Sequence, residues 1–211
     1  MNNPEPWVKI CGVHSAEVAR RLAKLPVAAL GLNRYKPSPR YVTRKRAQEL
    51  ARTVRLHGHL KLAGVYVNAS VNQINEDVEQ IGLDFVQLHG EESPGFLKSI
   101  SEKARIIKAF RVGENFDASR LDEYNCWAYL LDARVEGQYG GTGHKAPWQL
   151  ISGWTADYRL ILAGGLTPDN LREAVETVRP FGVDLNSGVE NEQGIKDISK
   201  IKKALRNLNS K

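Results

Sequence analysis

Four features are scarce in this 211-residue chain, and each absence narrows what it can be. Cysteine occurs only as Cys11 and Cys126, without metal-type spacing and with too few partners for a disulfide framework, so both read as reduced thiols. Long apolar runs are missing. Neither the N-terminal "MNNPEPWVKICG" nor any later stretch reaches the length of a signal-peptide core or a membrane span, so we expect a cytoplasmic protein with no membrane partner. The chain's own start and stop lead us to expect that it stands alone and is not one half of a fused enzyme. Nucleotide-binding signatures are lacking too: "CGVHSAE" follows the first apolar run where a G-x-G-x-x-G would stand, and no G-x-x-x-x-G-K-[ST] occurs. Concentrated positive charge is the fourth absence. The net charge is +6, but Lys and Arg are scattered among acidic residues except in "YVTRKRAQELARTVR" and "IKDISKIKKALRNLNSK". Both stretches have helical periodicity and read as solvated helix faces, and no basic face with interleaved aromatics points to nucleic acid. A modest positive excess suits a small anionic substrate.

What the chain has instead is alternation. Eight short β-rich runs recur: "WVKIC", "VAALGLN", "KLAGVYVN", "FVQLHG", "RIIKAF", "AYLLDA", "RLILAGG" and "GVDLNSG". Most are near-continuous apolar runs, as expected of parallel strands buried on both faces. Amphipathic segments lie between them. Ser15, Thr43 and Ser70 each precede one, and Thr167 with Pro168 precedes "DNLREAVETV", which are helix-start signals. Eight β-then-α units in one domain of residues 1–211 predict a (β/α)8 barrel near the lower end of the usual length range, in preference to an open doubly wound sheet.

In such a barrel chemistry sits on the loops after the C-terminal strand ends. The last two strands run into "LAGGLTPDN" and "DLNSGVE". Gly164 and Gly165 allow close backbone approach, and Ser187 and Gly188 can open a short helix, so these loops read as a phosphate site; the alternative is tight turns alone. Cys11 ends the first strand and is either a small buried hydrophobe or a thiolate acting as nucleophile or base, with Lys9 as the nearest source of positive charge. Cys126 starts a strand and reads as core. Asp132 ends the sixth strand, before a loop rich in glycine, and reads either as a partly desolvated general acid under a cover that excludes water and admits substrate or as an aspartate satisfied by loop N–H groups. Arg40 is either a solvated surface arginine or, stiffened by Pro37 and Pro39, suited to a bidentate grip on a carboxylate. His89 ends the fourth strand and either binds substrate or fills a barrel layer. Asp184 lies in the eighth strand.

Taken together, "VKICG", "SPRYV", "GVYVN", "VQLHGEE", "LLDA" followed by "GGTG", "LAGGLTPDN" and "DLNSGVE" with "GIKD" after it resemble the phosphoribosylanthranilate isomerase family. The motifs stand in the family's order across nearly the whole chain. The resemblance implies a cofactor-free Amadori rearrangement of N-(5-phosphoribosyl)anthranilate in tryptophan biosynthesis, performed by a monomer or homodimer on a small phosphorylated substrate. It implies Cys11 as general base at ribose C2, Asp132 as general acid at the furanose oxygen, and Arg40 on the anthranilate carboxylate. It places Gly164, Gly165, Asp184, Ser187 and Gly188 in the phosphate-binding loops. Two residues depart from the family pattern: Arg34, where an aromatic or apolar residue is expected, and His14, where a small hydroxyl residue is. Other phosphosugar barrels typically use two aspartates, or lysine and glutamate, and the first strand here ends in Cys11 with no aspartate.

Overall fold

The computed structural model describes residues 5–56, 59–113, 115–133 and 148–209. All eight expected strands are present as β1 (Trp7–Ile10), β2 (Ala29–Asn33), β3 (Lys61–Tyr66), β4 (Phe85–Leu88), β5 (Arg105–Arg111), β6 (Ala128–Asp132), β7 (Leu160–Ala163) and β8 (Gly182–Leu185). They pair in parallel in chain order, and β1 pairs with β8 to close the barrel. The expected (β/α)8 architecture is therefore the observed one.

Helices α1 (Ala16–Leu22), α2 (Arg44–Arg55) and α3 (Val71–Asp77) start at the expected caps. The side chains of Ser15, Thr43 and Ser70 accept from the backbone N–H of Val18, Arg46 and Gln73, which satisfies donors that a helix start leaves free. Short α4 (Pro94–Leu97) and α5 (Trp148–Ser152) follow β4 and precede β7, and a single 3-10 turn (Ala118–Leu121) stands between β5 and β6. Before α6 (Leu171–Val178) the expected cap is displaced. The cap position is Asn170, because Thr167 and Asn170 hydrogen-bond each other's backbone N–H and make a turn of the intervening residues. Beyond β8 a 3-10 turn (Ser187–Val189) leads into a small antiparallel hairpin, β9 (Glu190–Glu192) and β10 (Ile195–Lys196), and then α7 (Ile198–Asn209). The hairpin was not expected, since its strands are too short for a periodic signal.

Strand alternation divides each strand between two surroundings. Val8, Ile10, Leu30, Leu32, Leu62, Val86, Leu88, Leu162, Val183 and Leu185 face outward and pack under the helices, in a core shared with Leu22, Leu50, Ile74 and Ile201. Each such burial contributes about 1.5–3 kcal/mol. A second cluster fills the barrel from within: Ala63, Phe85, Ile107, Ala109, Ala128, Leu130, Ile161 and Ala163, with Trp7 and Trp127 against it. Trp7 meets Phe85 and Trp127 edge-on at 5.6 Å between centroids for each pair, so aromatics stop the N-terminal end. The inward positions at the other end are polar, and the site lies there.

Arg34 is turned away from that end. Its Nε donates to Asp77 Oδ2 at 2.8 Å and its guanidinium also donates to the Val42 carbonyl, while Arg44 and the Tyr66 hydroxyl complete the shell around the fully buried Asp77. This departure from the family pattern is a β2-to-α3 tie and lies off the cavity wall. Asp77→Ala leaves a buried guanidinium without its partner. We expect a loss of about 3–5 kcal/mol of stability in urea unfolding, with the exposed Glu76→Ala change near neutral.

A second tie joins the β2 loop to the hairpin. Arg40 donates to Glu190 through Nε at 2.7 Å and Nη2 at 2.6 Å, and Lys196 donates to the same carboxylate. Burial pushes the Glu190 carboxyl up, but the bonds from Arg40, Lys196 and the Gly194 N–H outweigh it and bring it down to about 2 from 4.5. A carboxyl that titrates lower when folded adds stability above its unfolded value and loses it as pH falls toward the folded one. Glu190→Gln is therefore expected to be less stable than wild type at neutral pH. The gap should narrow between pH 4.5 and about 2 in denaturant titrations.

Candidate active site

The C-terminal ends of the strands surround a cavity of about 200 Å³. Cys11 borders it at the end of β1, His89 after β4, Asp132 at the end of β6, and Gly164, Gly165, Asp184, Ser187 and Gly188 on the β7 and β8 side. All the expected site residues but Arg40 thus line one cavity. The glycine-rich segment expected to cover the cavity, Gly137 to Gly143, lies outside the described residues.

Cys11 is 5% exposed. Burial pushes its thiol up, Lys9 pulls it down, Asp184 pushes it up and Lys196 pulls it down, with a net rise. Lys9, fully buried one pleat below Cys11, donates to Asp184 Oδ2 at 2.7 Å. Burial opposes its charge, but Asp184 and Cys11 outweigh that and keep the ammonium charged. Asp184, grouped by the resemblance with the phosphate loops, thus lies inside β8 below them, and its carboxylate faces the Lys9 ammonium. Its Oδ2 is engaged by Lys9. Its Oδ1 and the Oε1 of Gln87 are buried acceptors without donors among the described residues, and both side chains border the cavity.

His89 places Nε2 3.8 Å from Asp132 Oδ2 and Nδ1 3.4 Å from Gln87 Nε2. Burial lowers its affinity for protons more than Asp132 raises it, so the ring is neutral at neutral pH. A neutral ring beside the Asp132 carboxyl can help to orient it.

Gly164 and Gly165 have φ of 90° and 64°, in the left-handed region that glycine adopts freely. A Cβ on Gly188 would fall 1.9 Å from the Leu166 carbonyl, so only glycine lets the β7 and β8 loops meet this closely. Ser187 opens the 3-10 turn, as expected. Both loops line one side of the cavity, and backbone N–H groups of such loops are able to take an anion.

Arg40 is held at the rim. Its Cδ would be 2.6 Å from a Cβ on Gly12, next to Cys11 and Asn186, and its guanidinium is engaged by Glu190. Sequence reasoning missed Glu190, Lys196, Asn186 and Gln87. Lys196 donates to Asn186 Oδ1 at 2.8 Å and so ties the hairpin to the β8 loop. Glu190 and Lys196 lie within "SGVE" and "GIKD", but polar residues of a short hairpin have no periodicity that marks them as buried. His14, the other departure, meets the Gly194 carbonyl at 2.7 Å through Nε2 and supports the same hairpin from outside the cavity. Cys126 is half-buried at the opposite end of the barrel from Cys11, as its strand position implied.

Residues 8–207 match the family described as N-(5'phosphoribosyl)anthranilate (PRA) isomerase. The chain is 40% identical over 199 residues to the N-(5'-phosphoribosyl)anthranilate isomerase of Pelobacter propionicus, covering 94% of this chain and 93% of that protein. Identity to the Geobacter sulfurreducens isomerase is also 40%, over 94% and 96% of the two chains. The crystal structure of phosphoribosyl anthranilate isomerase from Thermotoga maritima superposes with a TM-score of 0.84 at 35% identity, over 97% of this chain and 98% of that one. A structure of such an isomerase in complex with reduced 1-(o-carboxyphenylamino)-1-deoxyribulose 5-phosphate superposes at 0.81 with 33% identity, over 97% and 98%. The barrel, its polar mouth and these likenesses together make this chain a member of the N-(5'-phosphoribosyl)anthranilate isomerase family.

Proposed function

We propose that the chain catalyses the Amadori rearrangement of N-(5-phosphoribosyl)anthranilate to 1-(2-carboxyphenylamino)-1-deoxyribulose 5-phosphate in tryptophan biosynthesis, without a cofactor. One observation carries this reading: Cys11 and Asp132 face one cavity from β1 and β6, with two glycine-bearing loops beside them. We assign the substrate phosphate to the N–H groups of the Gly164–Gly165 and Ser187–Gly188 loops. The ribose then lies between the thiol and the carboxyl.

Asp132 gives a proton to the furanose oxygen as the C1–O bond breaks and the nitrogen lone pair forms C1=N. Cys11 takes the C2 proton, and the released pair forms C1=C2 and neutralises the iminium. The resulting enolamine gains a proton at C1 and loses the one on its C2 hydroxyl, which gives the ketone. Gln87 Oε1 and Asp184 Oδ1, both without donors among the described residues, are placed to accept from sugar hydroxyls. Arg40 spends Nε and one Nη2 proton on Glu190, and its remaining Nη protons, which have no acceptor among the described residues, can take the anthranilate carboxylate. The anthranilate ring then lies toward the β2 loop. The protein acts as a monomer or homodimer in the cytoplasm on this one small phosphorylated molecule, with no nucleic-acid or membrane partner. Among the described residues no helix is long and apolar enough to cross a membrane.

The test is the decay of phosphoribosylanthranilate fluorescence after that substrate has been formed in situ from anthranilate and phosphoribosyl pyrophosphate. Wild type accelerates the decay. Cys11→Ser and Asp132→Asn each reduce kcat by about 10²–10⁴, with product affinity nearly kept. A folded wild type that leaves the decay unchanged overturns the substrate assignment. Arg40→Ala raises KM by about tenfold to a hundredfold, as expected for a lost charged hydrogen bond, while kcat changes little.

A further inference from the structure

A buried lysine normally has one counter-ion and no further task. Lys9 has Asp184, its direct register partner across the β1–β8 seam, and also a second neighbour. An ideal Cβ on Gly31 would stand 2.8 Å from Cys11 Sγ and 3.2 Å from Lys9 Nζ. Sulfur and ammonium therefore converge on the same point, within the roughly 6 Å over which an opposite charge shifts a titration. Any side chain at position 31 would have to part them.

We propose that Lys9 is the positioning residue of the proton-abstraction step: its ammonium, clamped by Asp184, stands against the Cys11 sulfur and stabilises the negative charge that the sulfur carries when it acts as base. The proposal rests on the assignment of Cys11 as base. Carboxylic acids ionise near pH 4 and thiols near pH 8.5 in water, roughly. A thiolate opposite a protonated carboxyl is thus the minor tautomer of the pair. Its share falls tenfold for each unit by which the thiol's hold on its proton strengthens, and the fall is the same at every pH between the two titrations. Whatever favours the thiolate raises the rate directly.

The charges around Cys11 are Lys9 on its own strand, Asp184 on β8, Lys196 on β10 and Arg40 on the β2 loop. His89 and Asp132 face the same cavity from β4 and β6. Lys9 is the foremost of those that draw the thiol down against burial. Asp184 acts in the other direction on the sulfur while fixing the ammonium that serves it.

That opposition supplies the test. In a Cys126→Ser background, the rate of Cys11 alkylation by iodoacetamide is followed against pH, beside kcat/KM. Lys9→Met raises the alkylation midpoint by about one unit, lowers the kcat/KM plateau about tenfold and moves its alkaline limb upward. Asp184→Asn lowers the midpoint, because the thiolate becomes the counter-ion that the ammonium retains. Midpoints that stay put, or that move together in both variants, overturn the proposal and leave Lys9 a structural ion-pair member. If Lys9→Met does not fold, the direction of the Asp184→Asn shift decides alone. Full turnover by Cys11→Ser would instead remove the base assignment and leave the alkylation shifts standing.

Discussion

The ion pair of Lys9 and Asp184 lies where the barrel closes. The eight strands need only short-range register to pair in order, but β1 and β8 are separated by most of the chain and must find each other last in sequence. Their register sets Lys9 opposite Asp184 inside the barrel, at 2.7 Å and out of water. A slip of β1 by one residue would turn Lys9 outward into the aliphatic layer beside Leu30 and Val183 and leave Asp184 inside without its partner. Each charge alone would be costly, so the pair selects the closure that also brings Cys11 to the mouth. Stability and reactivity therefore share one constraint.

The interior is graded along its axis to meet that constraint. Trp7, Phe85 and Trp127 stop one end, small aliphatic residues fill the middle, and polar residues gather at the other end. Water is excluded from below, which strengthens every charge interaction at the mouth. Around the rim, Arg40, Glu190, Lys196 and Asn186 form a hydrogen-bonded belt that joins the β2 loop to the hairpin and the β8 loop. The belt holds the arginine assigned to the substrate carboxylate in place before substrate arrives, which reduces the ordering cost of binding.

Much of this is legible in the residues themselves. Continuous apolar runs between capped amphipathic segments specify eight parallel strands, and a barrel's chemistry then falls on strand ends, which singles out Cys11, Asp132, His89 and the paired glycine loops. The sequence is silent on which partner each charge chooses. Arg34 looks like an intruder near a carboxylate pocket, yet strand alternation turns it outward to Asp77. Asp184 is grouped by motif with a phosphate loop, and nothing in the motif shows that it accepts from Lys9 across the closing seam. Glu190 and Lys196 lie on a hairpin too short to show periodicity, and only the tertiary pairing with Arg40 reveals them. Local pattern sets the elements, whereas charge pairing over 150 residues or more depends on the closed barrel.

The most direct measurement of the central claim, that Lys9 sustains the thiolate that removes the C2 proton, is a primary deuterium isotope effect. Substrate deuterated at ribose C2 is converted in a single turnover with excess enzyme, which isolates chemistry from product release. Weakening the thiolate makes C–H cleavage the slow step, so the account predicts a larger isotope effect for Lys9→Met than for wild type. A slower Lys9→Met reaction with no isotope effect would contradict it.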